Sequence, residues 1–160
     1  MLKQGDTLPD VKLMTMTADG PTPVQLGEYV KGKKVVIFGL PGAFTPTCSD
    51  DHLPTFVDRA QELRDKGVDA VACLTTADFF VLKAWADQRG VDGKVDMLSD
   101  GNHEYIRQSG MAVDMSDFGL GERSNRYAMI VDDGKVAWIG VEENPGVAEA
   151  STAEAVLKQL

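Results

Sequence analysis

The sequence predicts an α/β protein in which a mixed central sheet is flanked by helices, and three observations carry that expectation. The run Lys34-Val35-Val36-Ile37-Phe38-Gly39-Leu40 is β-branched and uninterrupted, as befits a strand covered on both faces. Apolar residues at helical spacing follow at Leu53, Phe56, Val57, Ala60 and Leu63, and then a second apolar run from Val68 to Leu74; together these make a strand, helix, strand unit. Near the end, Arg126 to Val131 and Val136 to Val141 flank Asp132-Asp133-Gly134-Lys135, the pattern of a hairpin around an Asp-Gly turn.

The elements can be justified in order. Short extended pieces are expected around Val11 to Met16 and at Val24, with a turn at Gly20-Pro21-Thr22-Pro23 because Gly and Pro punctuate structure. The helix after Leu53 should end at Gly67, a residue suited to a C-terminal cap. Pro54 should kink that helix, since it lacks the N–H of one backbone bond. Asp78 to Arg89 alternates apolar and polar residues at helical period with Gly90 after it, and Val95 to Leu98 reads as a third short strand. Ser151-Thr152-Ala153-Glu154 has the S-x-x-E form of a capping box ahead of Ala155, Val156 and Leu160, so a short helix should close the chain. The order is thioredoxin-like. No repeat, low-complexity tract or linker divides the sequence, and residues 1–160 read as one domain.

Composition narrows the function. Sixteen basic against twenty-five acidic side chains leave a formal charge of -9, and no Lys/Arg stripe offsets it, which makes nucleic acid and anionic membrane poor partners. The N-terminal MLKQGDTLPD has no apolar stretch of signal-peptide length, so the cytoplasm is the expected location. Two cysteines and two histidines are too few for a disulfide framework or a CxxC-based zinc site. No nucleotide-binding loop is visible, and no metal or cofactor is expected. The chemistry of the cysteines should be redox or nucleophilic.

Cys48 stands where the first strong strand gives way to helix, in PGAFTPTCSDDHLP. The first amides of a helix lack intrahelical partners and the macrodipole there is positive, which favours an anion such as a thiolate. A free thiol titrates near about 8.5, and helix N-termini can bring that down to between roughly 3.5 and 7.5. Asp50 and Asp51 oppose the effect by repulsion. Thr45 occupies the place of the first cysteine of a CxxC dithiol, so a lone thiolate beside a hydroxyl donor is expected, an arrangement suited to attack on an O–O or S–S bond. His52 is four residues on, in reach of the same helical face. A Cys/His pair is conceivable, but no third partner is visible, and packing or hydrogen bonding beneath the loop is the favoured reading.

The stretch Pro41-Gly42-Ala43-Phe44-Thr45-Pro46-Thr47-Cys48-Ser49 with His52-Leu53-Pro54, and the later Gly121-Glu122-Arg123-Ser124-Asn125-Arg126-Tyr127-Ala128, resemble the peroxiredoxins, in particular their atypical type-two or type-five branch. The resemblance runs through most of the chain. It implies a thiol-specific peroxidase that reduces hydrogen peroxide and organic hydroperoxides. Cys48 would be the peroxidatic cysteine that becomes a sulfenic acid. Thr45 would hold the peroxide, Arg126 would stabilise thiolate and substrate, and Pro41 would shield the pocket, with Arg123 a candidate second cation. Taken singly, Thr45 could be a helix cap, Pro41 a turn former and Arg126 an edge-strand surface charge; those readings leave the joint pattern unexplained.

Cys73 lies within a run that reads as a core strand, and inert packing is the favoured role. Related plant-type members also carry a second cysteine 25 residues after the first, where it has been proposed as a resolving thiol, so that alternative stays open. The resemblance to this branch also implies a homodimer and re-reduction by an external thiol, glutaredoxin with glutathione or thioredoxin. The rival readings are a thiol-disulfide oxidoreductase, disfavoured by Thr45, and a redox sensor or holdase without rapid turnover.

Overall fold

A computed structural model describes residues 1–160. The strands are β1 (Lys12–Thr17), β2 (Gly20–Gln25), β3 (Lys34–Gly39), β4 (Ala70–Thr75), β5 (Asp96–Ser99), β6 (Ala112–Asp114), β7 (Glu122–Ser124), β8 (Tyr127–Asp132) and β9 (Lys135–Val141). Seven of them form one sheet in the order β2-β1-β5-β4-β3-β8-β9, while β6 and β7 make a small separate pair. The three runs read as buried strands, β3, β4 and β5, pair in parallel, and the hairpin β8-β9 adds antiparallel to β3. This is the mixed sheet the sequence predicts. Alternation along β3 serves both layers: Val36 and Phe38 face one core cluster, Val35 and Ile37 the other.

The helices are α1 (Leu26–Val30), α2 (Leu53–Asp58), α3 (Ala60–Asp65), α4 (Phe79–Gln88), α5 (Glu104–Ser109) and α6 (Ala153–Leu157). The first cluster packs beneath α2, α3, α4 and α6 through Phe56, Leu63, Trp85 and Val156. The second packs beneath α1 and α5 through Leu26, Val30, Tyr105 and Ile106. No helix is long and apolar enough to cross a membrane.

Three expectations need correction. Gly20 to Pro23 is not a turn but the body of β2; the chain reverses at residues 18–19. Prolines survive there because β2 is the edge of the sheet, where an outward-facing N–H has no strand to meet. Ser151 does not cap α6: Thr152 is the N-cap and its hydroxyl accepts from the Ala155 amide at 3.3 Å, leaving Ser151 free for another role. Arg126, which precedes β8, a strand flanked by β3 and β9, is only 2% exposed, so the alternative of an edge-strand surface charge, disfavoured from the sequence, does not apply. The helix after Leu53 is also interrupted at Arg59, which separates α2 from α3.

Gly39 ends β3 directly opposite Tyr127 of β8. A methyl there would overlap the Tyr127 ring, whose hydroxyl donates to that of Tyr105 at 3.2 Å in the core. Gly39→Ala is expected to cost about 1–3 kcal/mol by overpacking. Urea unfolding measures it, and an unchanged midpoint would show that the ring moves aside freely.

Candidate active site

The site is assembled where β3 runs out. The Thr75 hydroxyl on β4 donates to the Leu40 carbonyl at 2.8 Å, which fixes the exit of the chain into Pro41. Arg123 braces the next step, donating from Nη1 to the Pro41 carbonyl at 3.3 Å and from Nε to the Leu120 carbonyl at 2.8 Å. Phe44 then turns the backbone in the left-handed region, at φ 65, which is unusual for a non-glycine residue and concentrated at functional sites. Past it, the Ser49 amide donates to the Thr45 carbonyl at 2.9 Å and a helix begins. Cys48 lies in its first turn, where amides have no upstream carbonyl to meet.

That helix opens wide. Cys48–His52 forms a π-helical turn in which the Leu53 amide donates to the Cys48 carbonyl. Pro54 explains the place of the widening, because it sits at the start of α2 and has no N–H to give to the preceding turn. The Trp85 indole N–H of α4 donates to the Ser49 hydroxyl at 3.0 Å and pins the turn.

Arg126 meets this turn from the sheet side. Its Nη2 donates to the Cys48 sulfur at 3.1 Å, Nη1 to His52 Nδ1 at 2.9 Å and Nε to the Pro145 carbonyl at 2.8 Å. A guanidinium can only donate, so His52 Nδ1 accepts, and its Nε2–H is the donor to the Ser151 carbonyl at 2.8 Å. Burial, with the Arg126 charge second, pushes the His52 pKa down to about 3. His52 is therefore neutral and holds Arg126; it activates no nucleophile. In the structure both ring nitrogens of His52 are engaged, one by Arg126 and one by the Ser151 carbonyl.

Arg126 carries no ion pair with a carboxylate. Among the side chains it touches, Cys48 is the one able to carry negative charge. Thr45 differs from expectation in one respect: its hydroxyl proton is given to the Gly42 carbonyl at 2.7 Å, so toward an incoming molecule Thr45 presents lone pairs. Arg123 does not reach the sulfur and is a brace for Pro41 and Leu120. Asp50 is drawn outward to Arg89 at 3.2 Å, which offsets its charge.

A cleft of about 230 Å³ is lined by Pro41, Thr45, Met115, Phe118, Leu120 and Arg126 together with Asn144, Pro145 and Gly146, while Cys48, fully buried, reaches it only through the Arg126 guanidinium that donates to its sulfur. Larger hollows of about 520 Å³ exist elsewhere, one between β1, β5 and α4, but neither touches Cys48 or Arg126. Cys73 lies in β4 between Phe38 and Met97, fully buried, and both cysteines are free. Burial, with the neighbouring Cys48 second, pushes the Cys73 thiol well above its ordinary range. Sequence reasoning gave Ser49 no role and had no local signal for Trp85, Pro145 or Ser151, which reach the site from two other segments, α4 and the loop after β9.

A lone cysteine under a buried guanidinium, at a helix start in a thioredoxin-like fold, defines a thiol-based redox enzyme. The sequence profile named Redoxin matches residues 3–157. Rice (Oryza sativa subsp. japonica) peroxiredoxin-2E-2, chloroplastic, is 48% identical over 98% of this chain and 71% of its own. Arabidopsis thaliana peroxiredoxin-2D is 41% identical over 98% of this chain and 96% of its own. The crystal structure of reduced Prx3 in complex with H2O2 from Vibrio vulnificus superposes with a TM-score of 0.94 at 42% identity, covering 99% of both chains. The chain belongs to the redoxin family and is a peroxiredoxin, a thiol-dependent peroxidase.

The His52 arrangement has a consequence for stability. Its ordinary pKa near about 6.5 is restored on unfolding, so between pH 6 and pH 4 the unfolded chain binds a proton that the folded chain refuses. This contribution is complete above the unfolded value and is lost as pH falls toward about 3, at about 1.4 kcal/mol per pH unit. His52→Asn should flatten the pH dependence of unfolding by that slope. Parallel stability curves for the two proteins from pH 4 to 6 would show that His52 is protonated inside the fold.

Proposed function

We propose that Cys48 is the nucleophile of a hydroperoxide reductase, with Arg126, Thr45 and Pro41 as its partners. The observation that carries this reading is the buried Arg126 guanidinium, hydrogen-bonded to the Cys48 sulfur and matched by no carboxylate. A peroxide entering the cleft meets Thr45, which accepts from the peroxide O–H, and the free N–H groups of Arg126. The thiolate attacks the terminal oxygen and the O–O bond breaks. The departing alkoxide or hydroxide takes a proton and leaves as alcohol or water, and Cys48 becomes a sulfenic acid. Arg126 faces the oxygens on which negative charge grows, the geometry that stabilises such a transition state. Pro41 closes one wall and limits water.

An external thiol completes the cycle, glutaredoxin with glutathione or thioredoxin. It displaces water from the sulfenic acid to give a mixed disulfide, and a second thiol releases Cys48 with formation of the reductant's disulfide. The burial of Cys73 in the middle of β4 supports this route over an internal disulfide, which needs the two Cα atoms within about 7 Å and both sulfurs free to meet. A reducing compartment such as the cytoplasm would supply the thiol. Both hydrogen peroxide and organic hydroperoxides are proposed as substrates, the latter supported by Met115, Phe118 and Leu120 in the cleft. The exposed Phe44 and Phe118 beside the cleft support a homodimer formed through the loops around it.

Stopped-flow oxidation by one equivalent of hydrogen peroxide, with intact mass of the products, tests this. Wild type and Cys73→Ser should oxidise rapidly at a single sulfur, and Cys48→Ser should react no faster than a free thiol. Arg126→Gln should slow the reaction about 10²–10³-fold. A Cys48–Cys73 disulfide in the wild-type mass would overturn the external-thiol route, and rapid oxidation of Cys48→Ser would overturn the assignment of the nucleophile. Sedimentation should show a dimer that Phe118→Glu dissociates.

A further inference from the structure

Glu142 is a buried carboxylate, 6% exposed, in the loop that follows β9, and the chemistry described so far gives it no task. It pairs with no cation. One of its oxygens accepts from the Ser151 hydroxyl at 2.6 Å and from the Glu149 amide at 2.9 Å, so the carboxylate ties the loop of residues 142–151 into a closed ring. The Glu142 amide donates to the Arg126 carbonyl at 3.0 Å, which fixes the start of that ring to the residue whose side chain meets Cys48. From the ring, two carbonyls point back at the site. Pro145 accepts from Arg126 Nε at 2.8 Å, and Ser151 accepts from His52 Nε2–H at 2.8 Å, with His52 in turn accepting from Arg126 Nη1.

Two of the three groups that aim the guanidinium are thus held by one loop, directly or through His52. That loop is shaped by one buried carboxylate. Hydrogen bonds to an ionised acceptor are the stronger kind, and a carboxylate can accept both donors at once, which a hydroxyl or an apolar residue in its place could not do with the same geometry. We propose that Glu142, together with Ser151, is a positioning residue of the peroxidase reaction: it holds the 142–151 loop so that Arg126 is aimed at the Cys48 sulfur and the peroxide. The proposal rests on the assignment of Arg126 to the reaction.

The test is a cycle of variants read by the second-order rate of oxidation by hydrogen peroxide. Arg126→Lys keeps a cation but loses the forked donor geometry, and it should slow the reaction while leaving it faster than a free thiol. Glu142→Ala should slow the reaction about ten-fold or more, the scale of a small misalignment at a reacting centre. Glu142→Gln, whose amide oxygen can accept both bonds, should restore most of the rate. The decisive comparison is the loss caused by Glu142→Ala in the Arg126→Lys background. If Glu142 acts by aiming the guanidinium, that loss should largely disappear; an equal loss in both backgrounds overturns the proposal in favour of a general structural role. A wild-type rate for Glu142→Ala also overturns it. Should Glu142→Ala fail to fold, Ser151→Ala takes its place, because it removes one of the two bonds to the carboxylate and keeps the Ser151 carbonyl that His52 uses. A wild-type rate for Arg126→Lys would instead refute the role of Arg126 itself, so the two failures are distinguishable.

Discussion

A guanidinium cannot shed its charge, and Arg126 holds that charge where water hardly reaches. Placing such an ion inside a protein costs several kcal/mol unless its donors are met and its charge is answered. The fold meets the donors with a backbone carbonyl, a neutral imidazole and a sulfur. It supplies no carboxylate, so the charge can be answered in full only if the sulfur is an anion. The reactive state of Cys48 is therefore tied to the stability of the interior around it.

Much of the surrounding architecture can be understood as the means of keeping that arrangement dry and oriented. β3 delivers the loop that carries Pro41 and Thr45, and its neighbour β4 holds the end of it through Thr75. The π-helical turn spaces Cys48 and His52 so that both reach the same guanidinium, and Trp85 pins it from the helical layer through Ser49. Phe38 stacks on Phe56 with ring centroids 4.0 Å apart, and His52 leans on both. The imidazole is thus held by apolar rings as well as by its hydrogen bonds. The same packing denies it a proton.

The legible parts of the sequence were those with short-range physics. Continuous β-branched runs gave the central strands, the Asp-Gly pair marked the β8-β9 hairpin, and Thr45 stood out three residues before Cys48, whereas Arg126 came only through the resemblance of the two motifs to the peroxiredoxins. Pro54 announced a distortion, though not that it would take the form of a wider turn beginning at Cys48. Reading failed where context decides. Pro21 and Pro23 look like a turn until the sheet order shows that β2 is an edge, and Ser151 looks like a cap until Glu142 claims its hydroxyl. The short helices α1 and α5 and the pair β6-β7 carried too few residues for a periodic signal. The hydrogen bonds around Arg126 join residues as far apart as 48, 52, 126 and 145, and no spacing rule encodes such a meeting.

The absence of a carboxylate beside Arg126 ties the electrostatics of the pocket to the state of one sulfur. A thiolate at Cys48 would answer the guanidinium that donates to it, whereas a protonated sulfenic acid there, being neutral, would not. An interior matched to an anion at that sulfur would then carry part of the cost of an isolated buried charge. Reduction of the sulfur restores the match. The redox state of one atom thus sets the electrostatic balance around the buried guanidinium.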